Sequence, residues 1–367
     1  MLAIRLLLVG CALSLAACVD DTTPETTRYD TAVRRVISQY HLPGVAVSVR
    51  VPGETEWRQA YGYGDVESHT PMDLANHFSI RSVTKSFTVT LILQLVRDHA
   101  ISLEDKLDKF VPGVPNGSII TIADLAGMQS GVFDYSGTPE FLAILEKDLS
   151  HAFTDVQLVG YAIPYSPRFA PGAQYDYSNT NTVLLGMIVE KVTGQTLAQA
   201  LAQRILDPLG LHETSYPQSV PLPPPDPTPY EVAIATGATE RLPLVNPTVF
   251  SAAGAMVSTL DDMQAWAAAL GDGRLIGAEL QSERVNRSRA ATSGPHYDRY
   301  GLGLGITRGW WGHTGEALGL QSAVFYDPTT GATIAVLVNA TPSSDAPPFL
   351  NFADEIFEAL ADVLASR

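Results

Sequence analysis

The stretch FSIRSVTKSF, residues 78–87, joins a short extended segment to a strongly apolar helical pattern. From Ser82 to Asp98 the apolar residues recur at helical spacing, which predicts one buried helix. Ser82 and Lys85 are three positions apart, so their side chains share a face of that helix. A serine hydroxyl becomes a nucleophile when a neighbouring base takes its proton, and burial can lower the pKa of a lysine for that role. The alternative is an N-cap at Ser82 and a solvated Lys85.

Strand and helix patterns lie on both sides of this segment. Helical spacing between Asp30 and Tyr40 predicts an N-terminal helix, and alternation from Val45 to Val51 predicts a strand. Further strand patterns and a final amphipathic helix follow at Trp57–Gly64, Tyr300–Ile306, Trp310–Gly312, Gln321–Tyr326, Thr333–Val338 and Phe352–Ala365. Terminal segments that share one sheet imply a discontinuous domain. We therefore expect an α/β fold in which an antiparallel sheet flanked by helices carries an inserted all-α domain.

The bounds of this organisation follow from the patterns along the chain. The α/β part is expected at about residues 29–100 and 245–367, and the all-α insert at about residues 101–244. Within the insert, residues 218–230 contain six prolines, which favour an extended and stiff backbone. We interpret this proline-rich segment as a surface loop or flap, and a disordered insert is the alternative.

The composition excludes several classes of protein. The chain has 367 residues and is 46% hydrophobic and 17% charged, so it is not intrinsically disordered. Its net charge of −16 argues against nucleic acid as a partner and against electrostatic docking on anionic lipid. The sequence contains no H-E-x-x-H or C-x-x-C motif, no P-loop and no dinucleotide-binding fingerprint. We therefore predict neither a metal site nor a cofactor.

The first residues have the pattern of an export signal. Residues 1–17 combine Arg5 with an almost wholly apolar run and end in small residues directly before Cys18. This junction resembles the lipobox of bacterial lipoproteins, in which the cysteine thiol receives a diacylglycerol before cleavage. The resemblance implies a lipoprotein on the outer face of the bacterial cell membrane, with a lipid on Cys18 and a tether at residues 18–28. Ordinary signal cleavage is the alternative, and the apolar run is short for a membrane-spanning anchor.

Two later motifs give the Ser-Lys pair its context. Tyr177-Ser178-Asn179 stands before a predicted helix, and Gly312-His313-Thr314-Gly315 lies in a glycine-rich strand pattern. With Ser82-Val83-Thr84-Lys85, they follow the order of the S-x-x-K, S-D-N and K-T-G motifs of the serine penicillin-recognising enzymes. Over most of residues 29–367 the chain resembles this serine β-lactamase-like, penicillin-binding family, and most closely its D-alanyl-D-alanine carboxypeptidases and class C β-lactamase-like hydrolases. The resemblance implies a β-lactamase/transpeptidase-like fold.

The resemblance assigns the catalytic roles to three residues. Ser82 would be the acylated nucleophile, and Lys85 and Tyr177 would share the proton transfer. A phenol near two cations can have its pKa lowered enough to act as a base, which is the role expected of Tyr177. Ser82 would attack an amide or ester carbonyl, and water or an amine would then release the acyl group.

The same resemblance assigns substrate binding to neighbouring motif positions. Asn179 would hydrogen-bond the substrate amide and orient Lys85. His313 occupies the usual lysine position and would support Tyr177 electrostatically if protonated. The Thr314 hydroxyl would face the substrate.

The end of the third motif agrees with the carboxypeptidase pattern at Gly315 and departs from it at Glu316. Gly315 would let the substrate lie against the strand, and the backbone N–H groups of Ser82 and Glu316 would form the oxyanion hole. Glu316 stands where the carboxypeptidases have a hydroxyl residue that helps to hold the terminal carboxylate, and an acid there should repel that group unless it points away. Arg308 could bind the carboxylate instead, and a surface arginine in a turn is the alternative.

The sequence therefore predicts an exported serine acyl-transfer hydrolase that acts on a small molecule or peptide. D-Ala-D-Ala peptides are the first expected substrates, with penicillins as acylating inhibitors. An esterase of the same fold, then a β-lactamase, are the alternative enzymes. A non-catalytic binding lipoprotein is the alternative outside catalysis, and turnover that vanishes in Ser82→Ala would exclude it.

Overall fold

A nine-stranded antiparallel sheet forms the centre of the structure. The computed structural model of the chain describes residues 24–344 and 346–367. The predicted signal segment, residues 1–17, and the predicted lipidation site Cys18 lie outside the described residues. The strands in chain order are β1 Gly44–Arg50, β2 Trp57–Asp65, β3 Thr70–Pro71, β4 Phe78–Ser79, β5 Tyr230–Ala233, β6 Ala238–Arg241, β7 Val257–Ser258, β8 Arg289–Ala290, β9 Arg299–Tyr300, β10 Gly305–Thr307, β11 Trp310–Ala317, β12 Leu320–Tyr326, β13 Thr333–Val338 and β14 Ala340–Pro342. The large sheet has the order β3-β2-β1-β13-β12-β11-β10-β9-β8.

Helices cover both faces of this sheet. They are α1 Pro24–Tyr40, α2 Thr84–Arg97, α3 Ile122–Ala126, α4 Pro139–Lys147, α5 Asp155–Ala162, α6 Asn179–Thr193, α7 Leu197–Leu201, α8 Asp207–Leu209, α9 Leu260–Asp272, α10 Ala278–Asn286 and α11 Phe352–Ala365. Among the described residues, none of these helices combines the length and the apolar character needed to cross a lipid bilayer.

The alternation of residues along β1 explains how the sheet is covered on both sides. Val45 and Val47 pack in the apolar cluster that contains α1 and α11, whereas Ala46 packs in the cluster that contains α2 and α9. Strand β1 pairs antiparallel with β13, which places Val45 opposite Val338. Strands from the two ends of the chain therefore lie side by side. This confirms the predicted α/β fold with an antiparallel sheet.

Helix α2 is buried over almost its whole length. Every residue from Thr84 to Leu95 is buried. The rings of Phe87 and Trp266 stack with their centroids 3.6 Å apart, and the Trp266 indole N–H donates to Ser86 Oγ at 2.9 Å. Burial of apolar surface contributes about 25 cal/mol per Å². The buried side chains of α2 therefore stabilise its position in the core. The nucleophile candidate at its entry is thus held on a rigid element.

Helix α1 begins earlier than the sequence predicts. Residues 24–28, which were expected to belong to the tether, form its first turns. Glu25 pairs with Arg367 at 3.3 Å, and Arg28 donates a hydrogen bond to Ser366. These contacts with the end of the chain hold α1 against α11, which accounts for the longer helix.

The region predicted as an all-α insert, residues 101–244, holds α3 to α8 but also two strands. Strand β5 pairs in parallel with β14, and β6 pairs antiparallel with β5. Both strands have only four residues, so their alternation is too short to detect in the sequence. The proline-rich segment, residues 218–230, precedes β5 and packs against the chain before α2, where Pro225 O accepts from His77 N at 2.7 Å. The insert is therefore not wholly helical.

Candidate active site

The chain before α2 is held in place at Ile80. Its N–H donates to Met256 O at 3.0 Å, and its carbonyl oxygen accepts from Ser322 Oγ at 2.9 Å. A 3-10 turn, Arg81–Val83, then leads into α2. Ser82 therefore stands at a helix entry that is tied to the large sheet on one side and to the segment before β7 on the other.

Gly315 allows β11 to pass close to this turn. A Cβ atom at position 315 would lie 2.2 Å from Ile80 O and 3.1 Å from Arg81 Cβ. Any side chain there would push the strand away from the nucleophile segment. The resemblance assigned Gly315 to contact with the substrate, whereas the structure gives it a packing role next to Ser82.

Ser82 and Lys85 form the pair that the helical spacing predicts. Lys85 Nζ donates to Ser82 Oγ at 2.8 Å and to Ala253 O at 2.8 Å. The side chain is fully buried, and this burial lowers the pKa of Lys85 to about 7, although the charge of Asp134 acts in the opposite direction. A lysine with a pKa near 7 is a neutral amine in many molecules at neutral pH. It can then accept the Ser82 proton.

Tyr177 lies beside this pair. Lys85 Nζ is 5.0 Å from the centroid of the Tyr177 ring. The buried hydroxyl makes no hydrogen bond of ordinary geometry with the described residues, although Ser82 is close enough to act on its pKa. Burial raises the pKa of Tyr177 well above its usual value, the neighbouring Tyr297 adds to this, and Ser82 opposes it. The expectation of a lowered pKa is therefore wrong, and the neutral phenol suits a proton donor.

His313 lies behind the site rather than in it. Its Nδ1 atom is 2.6 Å from the carbonyl oxygen of Thr314, and its Nε2 atom is 3.0 Å from the Tyr300 hydroxyl. Nδ1 therefore donates and Nε2 accepts. Burial lowers the pKa of His313 to about 3, and the charge of Lys85 adds to this effect. The ring is neutral, so the expected electrostatic support of Tyr177 by a protonated His313 is wrong.

Asn179, the first residue of α6, points to a neighbouring acid. Its Nδ2 atom donates to Asp134 Oδ2 at 3.2 Å and to Ser136 Oγ at 3.1 Å. Within the described part of the chain it makes no hydrogen bond to Lys85, so the expectation that Asn179 orients Lys85 is wrong. The physical reason is that the Lys85 amine donates instead to Ser82 Oγ and to Ala253 O.

Thr314 is held by a residue that the sequence analysis missed. The Tyr297 hydroxyl lies 2.8 Å from Thr314 Oγ1 and accepts from the backbone N–H of Thr314 at 2.8 Å. Tyr297 thus positions the strand residue expected to face the substrate. Tyr297 lies in a loop without a recognisable motif. Asp134, which the sequence analysis also missed, lies in the segment between α3 and α4.

These groups surround a cavity of about 640 Å³. The predicted residues in its walls are Ser82, Tyr177, Asn179, Thr314 and Glu316. The charged residues in its walls that were not predicted are Arg81, Asp134, Arg168, Asp176 and Asp354. Arg168 and Asp176 form an ion pair, with 3.0 Å between Arg168 Nε and Asp176 Oδ2. Apart from this pair, the cavity walls carry more acids than bases.

Two of these acids have unusual surroundings. Glu316 lies in the cavity wall. Burial of its carboxyl group raises the pKa of Glu316 to about 7, although a hydrogen bond with the Gln321 side chain acts in the opposite direction. Asp354, in the first turn of α11, is only 8% exposed, and its Oδ1 has no hydrogen-bond partner among the described residues. Burial raises the pKa of Asp354 to about 8. Neither carboxyl group has a cationic partner in the part of the chain that the structure describes.

Arg308 lies outside the walls of this cavity. Its guanidinium donates to Glu358 O at 3.3 Å and pairs with Asp362, both on α11, and its backbone N–H donates to Asp298. The expectation that Arg308 binds a substrate carboxylate is therefore wrong. The alternative, a surface arginine in a turn, describes it correctly.

The arrangement has the parts required for acyl transfer. Ser82 supplies a nucleophile, Lys85 a base of suitable pKa, and Tyr177 a phenol within the same cavity. Within residues 24–344 and 346–367, no group of three or more His, Cys, Asp or Glu side chains is placed to hold a metal ion.

Known proteins share this architecture. A crystal structure of a D-stereospecific amidohydrolase from Streptomyces sp. superposes with a TM-score of 0.78 and 30% identity, over 92% of this chain and 98% of that one. A D-amino acid amidase from Ochrobactrum anthropi SV3, complexed with L-phenylalanine amide, has a TM-score of 0.83 at 24% identity, over 94% and 99% of the two chains. The second likeness concerns the fold alone, and it confirms the β-lactamase/transpeptidase-like architecture.

Sequence comparison leads to the same group. A D-aminopeptidase from Brucella anthropi is 32% identical over 192 residues, which are 51% of this chain. The match spans only 35% of the length of that relative. Residues 29–355 match the beta-lactamase family. With the Ser-Lys pair in place, this match shows that the chain is a serine hydrolase and belongs to the beta-lactamase family.

Proposed function

We propose that the protein hydrolyses amides and short peptides of D-amino acids that carry a free α-ammonium group. The observation that carries the proposal is the buried, unpartnered carboxyl group of Asp354 in the same cavity as Ser82. A bound ammonium group would give this carboxylate the partner that it lacks, which lowers the cost of its burial. Glu316 would add a second acidic group at the same cavity, and a bound cation would favour the ionised form of both carboxyl groups.

The names of the relatives support the same substrate class. A D-aminopeptidase and a D-stereospecific amidohydrolase both act, by their names, on D-configured substrates. An aminopeptidase substrate has a free ammonium group beside the scissile bond, whereas a carboxypeptidase substrate has a free carboxylate. The acidic cavity favours the first of these.

Acylation proceeds through the Ser82–Lys85 pair. Neutral Lys85 takes the proton of Ser82 Oγ, the oxygen bonds to the substrate carbonyl carbon, and the carbonyl oxygen becomes an oxyanion. The backbone N–H groups of Ser82 and Glu316 stabilise this oxyanion. Tyr177 gives its proton to the leaving nitrogen as the C–N bond breaks, and the Lys85 ammonium returns a proton to Tyr177.

Deacylation reverses the roles. A water molecule gives a proton to neutral Lys85 and bonds to the acyl carbon, and Ser82 Oγ then leaves with the proton from Lys85. The free acid and the regenerated Ser82 hydroxyl complete the cycle, so the route needs no group beyond those in the cavity.

A comparison of matched substrates tests this function. We expect hydrolysis of D-phenylalaninamide to be at least about tenfold faster than that of N-acetyl-D-phenylalaninamide, since a hydrogen bond to a charged group contributes about 1.5–3 kcal/mol. Hydrolysis of L-phenylalaninamide should also be slower, in keeping with the D-configured substrates in the names of the relatives. Ser82→Ala should abolish the activity. Equal rates for the free and acetylated amides would refute the proposed role of the ammonium group.

A D-alanyl-D-alanine carboxypeptidase that is acylated by penicillin is the second candidate. The Thr314 hydroxyl in the cavity wall favours it, because such a hydroxyl can bind a peptide carboxylate. Release of the terminal residue from a D-Ala-D-Ala peptide, with no hydrolysis of D-amino acid amides, would select this candidate. Hydrolysis of simple esters alone would select the esterase.

We further propose that the protein is exported and carries a lipid on Cys18. The supporting observation is the run of small residues directly before Cys18 at the end of the apolar segment. Labelling of producing bacteria with a radioactive fatty acid should mark the protein, and Cys18→Ser should lose the label. Equal labelling of both forms would overturn this proposal.

A further inference from the structure

Arg81, the residue directly before the nucleophile, has an unusual backbone conformation. Its φ angle is +50°, in the left-handed region that is costly for a residue with a side chain. The resemblance of the FSIRSVTKSF stretch to the family gave no role to this position. Strain of this kind persists where the surrounding structure maintains it, and it is concentrated at functional sites.

The side chain of Arg81 is almost completely enclosed but reaches the cavity. The residue is 5% exposed and belongs to the cavity walls. Its guanidinium carbon lies 4.6 Å from the centroid of the Phe250 ring. This cation–π contact helps to fix the position of the guanidinium at the cavity wall.

Arg81 has no anionic partner among the described residues. Among residues 24–344 and 346–367, none forms a hydrogen bond or an ion pair with its guanidinium, and the buried Nε is unpartnered. Arg168 of the same cavity, by contrast, pairs with Asp176. The buried Arg284 also has an unpartnered Nε, but its guanidinium donates to Thr90 Oγ1 at 2.6 Å. An unpaired buried guanidinium is costly for the empty protein, which points to a ligand that supplies the anion.

The contacts of Arg81 indicate which part of the substrate it meets. The leaving group must lie near Tyr177, which is held by Ser293 and Gly294 at one wall of the cavity. Arg81 instead contacts Phe250. Arg81 and Tyr177 therefore have different neighbours in the cavity lining, which favours the acyl part, the part that stays on Ser82, as the partner of Arg81.

We propose that Arg81 is a specificity residue that binds a carboxylate on the acyl part of the substrate. This inference rests on the proposed function and deepens it: the preferred substrates are amides or short peptides of D-amino acids with an acidic side chain. Asp354 then faces the ammonium group of such a substrate, and Arg81 faces its side-chain carboxylate. The guanidinium can bind the carboxylate through two parallel hydrogen bonds.

A matched substrate pair tests the proposal. D-glutamic acid α-amide and D-glutaminamide differ only in a carboxylate against a carboxamide. For the wild type we expect a kcat/KM ratio of about ten or more in favour of the acidic substrate, as for other charge-assisted hydrogen bonds. In Arg81→Gly the ratio should fall to about one. Glycine tolerates the left-handed backbone, so this variant avoids strain.

Two further variants control for general damage. Arg308→Gly makes the same substitution at another left-handed position, φ +53°, outside the cavity, and should keep the wild-type ratio. Arg81→Lys keeps the charge without the planar fork and should give an intermediate ratio. The ratio is taken within each variant, so a general loss of activity cancels. An unchanged ratio in Arg81→Gly would overturn the proposal.

An ester pair separates this proposal from the proposed function. The 4-nitrophenyl esters of adipic acid and of adipamic acid carry a carboxylate or a carboxamide on the acyl part and need no amidase activity. A carboxylate preference that depends on Arg81, without hydrolysis of D-amino acid amides, would refute the proposed function but support the anion site. A preference only for 4-acetoxybenzoate over 4-acetoxybenzamide, whose charge leaves with the phenol, would overturn the assignment to the acyl part.

Discussion

The Nζ atom of Lys85 lies 2.8 Å from the Oγ atom of Ser82, and the same nitrogen donates to the backbone oxygen of Ala253. The structure surrounds this amine with a carbonyl, a hydroxyl and an aromatic ring, and among the described residues no carboxylate lies within ion-pair distance of it. Its burial therefore disfavours the charged form. Lys85 can therefore act as a base because the described residues place no counterion beside its amine.

The first prediction concerns the pH dependence of acylation. Because burial lowers the pKa of Lys85 to about 7, kcat/KM for an uncharged ester should rise with pH through 7 and then level off. Below pH 7 the rate should fall by about tenfold per pH unit, since the neutral amine decreases in that proportion. Stopped-flow acylation between pH 5 and 9 measures this. Glu316→Gln removes a second group with a pKa near 7 and should keep the same midpoint.

The second prediction separates stability from activity at Lys85. A lysine whose pKa is about 7 when folded and 10.5 when unfolded destabilises the protein fully below pH 7, and this penalty disappears as the pH rises toward 10.5. Lys85→Met should raise the free energy of unfolding at pH 7 by on the order of 2 kcal/mol and abolish turnover. Urea denaturation measures the gain, which should shrink at pH 9. A loss of stability at pH 7 would contradict this account.

The third prediction concerns acid stability at His313. Burial lowers the pKa of His313 to about 3 in the folded protein, so below its ordinary value of 6.5 only the unfolded chain takes up the proton. Stability should therefore fall as the pH falls from 6.5 toward 3. His313→Gln should reduce this fall by on the order of 2 kcal/mol at pH 4. Denaturation at pH 7 and pH 4 measures the difference, and parallel curves for the two proteins would argue against a buried neutral ring.

The fourth prediction tests the close approach at Gly315. Gly315→Ala would place a methyl group 2.2 Å from Ile80 O, so we expect a loss of on the order of 2 kcal/mol in stability and about 100-fold in activity. Gly160→Ala is the control, because nothing lies within 4 Å of its Cβ and it stands in helix α5. The control should be neutral or slightly stabilising. Thermal unfolding and ester turnover measure both variants.

Local spacing predicted the parts of the site that depend on one helix. The contact between Ser82 and Lys85 follows from their spacing of three residues, which places two side chains on the same face of a helical turn. It does not depend on the residues around them. Helix α2 was predicted for the same reason, since its apolar residues recur without interruption. Strands β1 and β13 were also predicted from local patterns, although they lie at opposite ends of the chain.

Contacts between distant segments were predicted poorly. His313 was expected to support Tyr177 electrostatically if protonated, but the neutral ring is enclosed by Tyr300 and other residues that no pattern connects to it. Arg308 was expected at the substrate, yet its side chain reaches α11. Asp354 stands in an ordinary amphipathic helix and has a special environment only because that helix meets the cavity wall. Such environments arise from packing, which sequence periodicity does not encode.

The meeting of α1 with α11 has a practical consequence. Arg367 contacts both Glu25 and Glu54, so the first described residues and the last residue of the chain lie at one corner of the molecule. A short linker could join Pro24 to Arg367 there. New chain ends could then be opened in the proline-rich segment, which contributes no strand to the nine-stranded sheet. A label fused after Arg367 would therefore lie close to the start of α1, and it would report on the surroundings of that end of the helix.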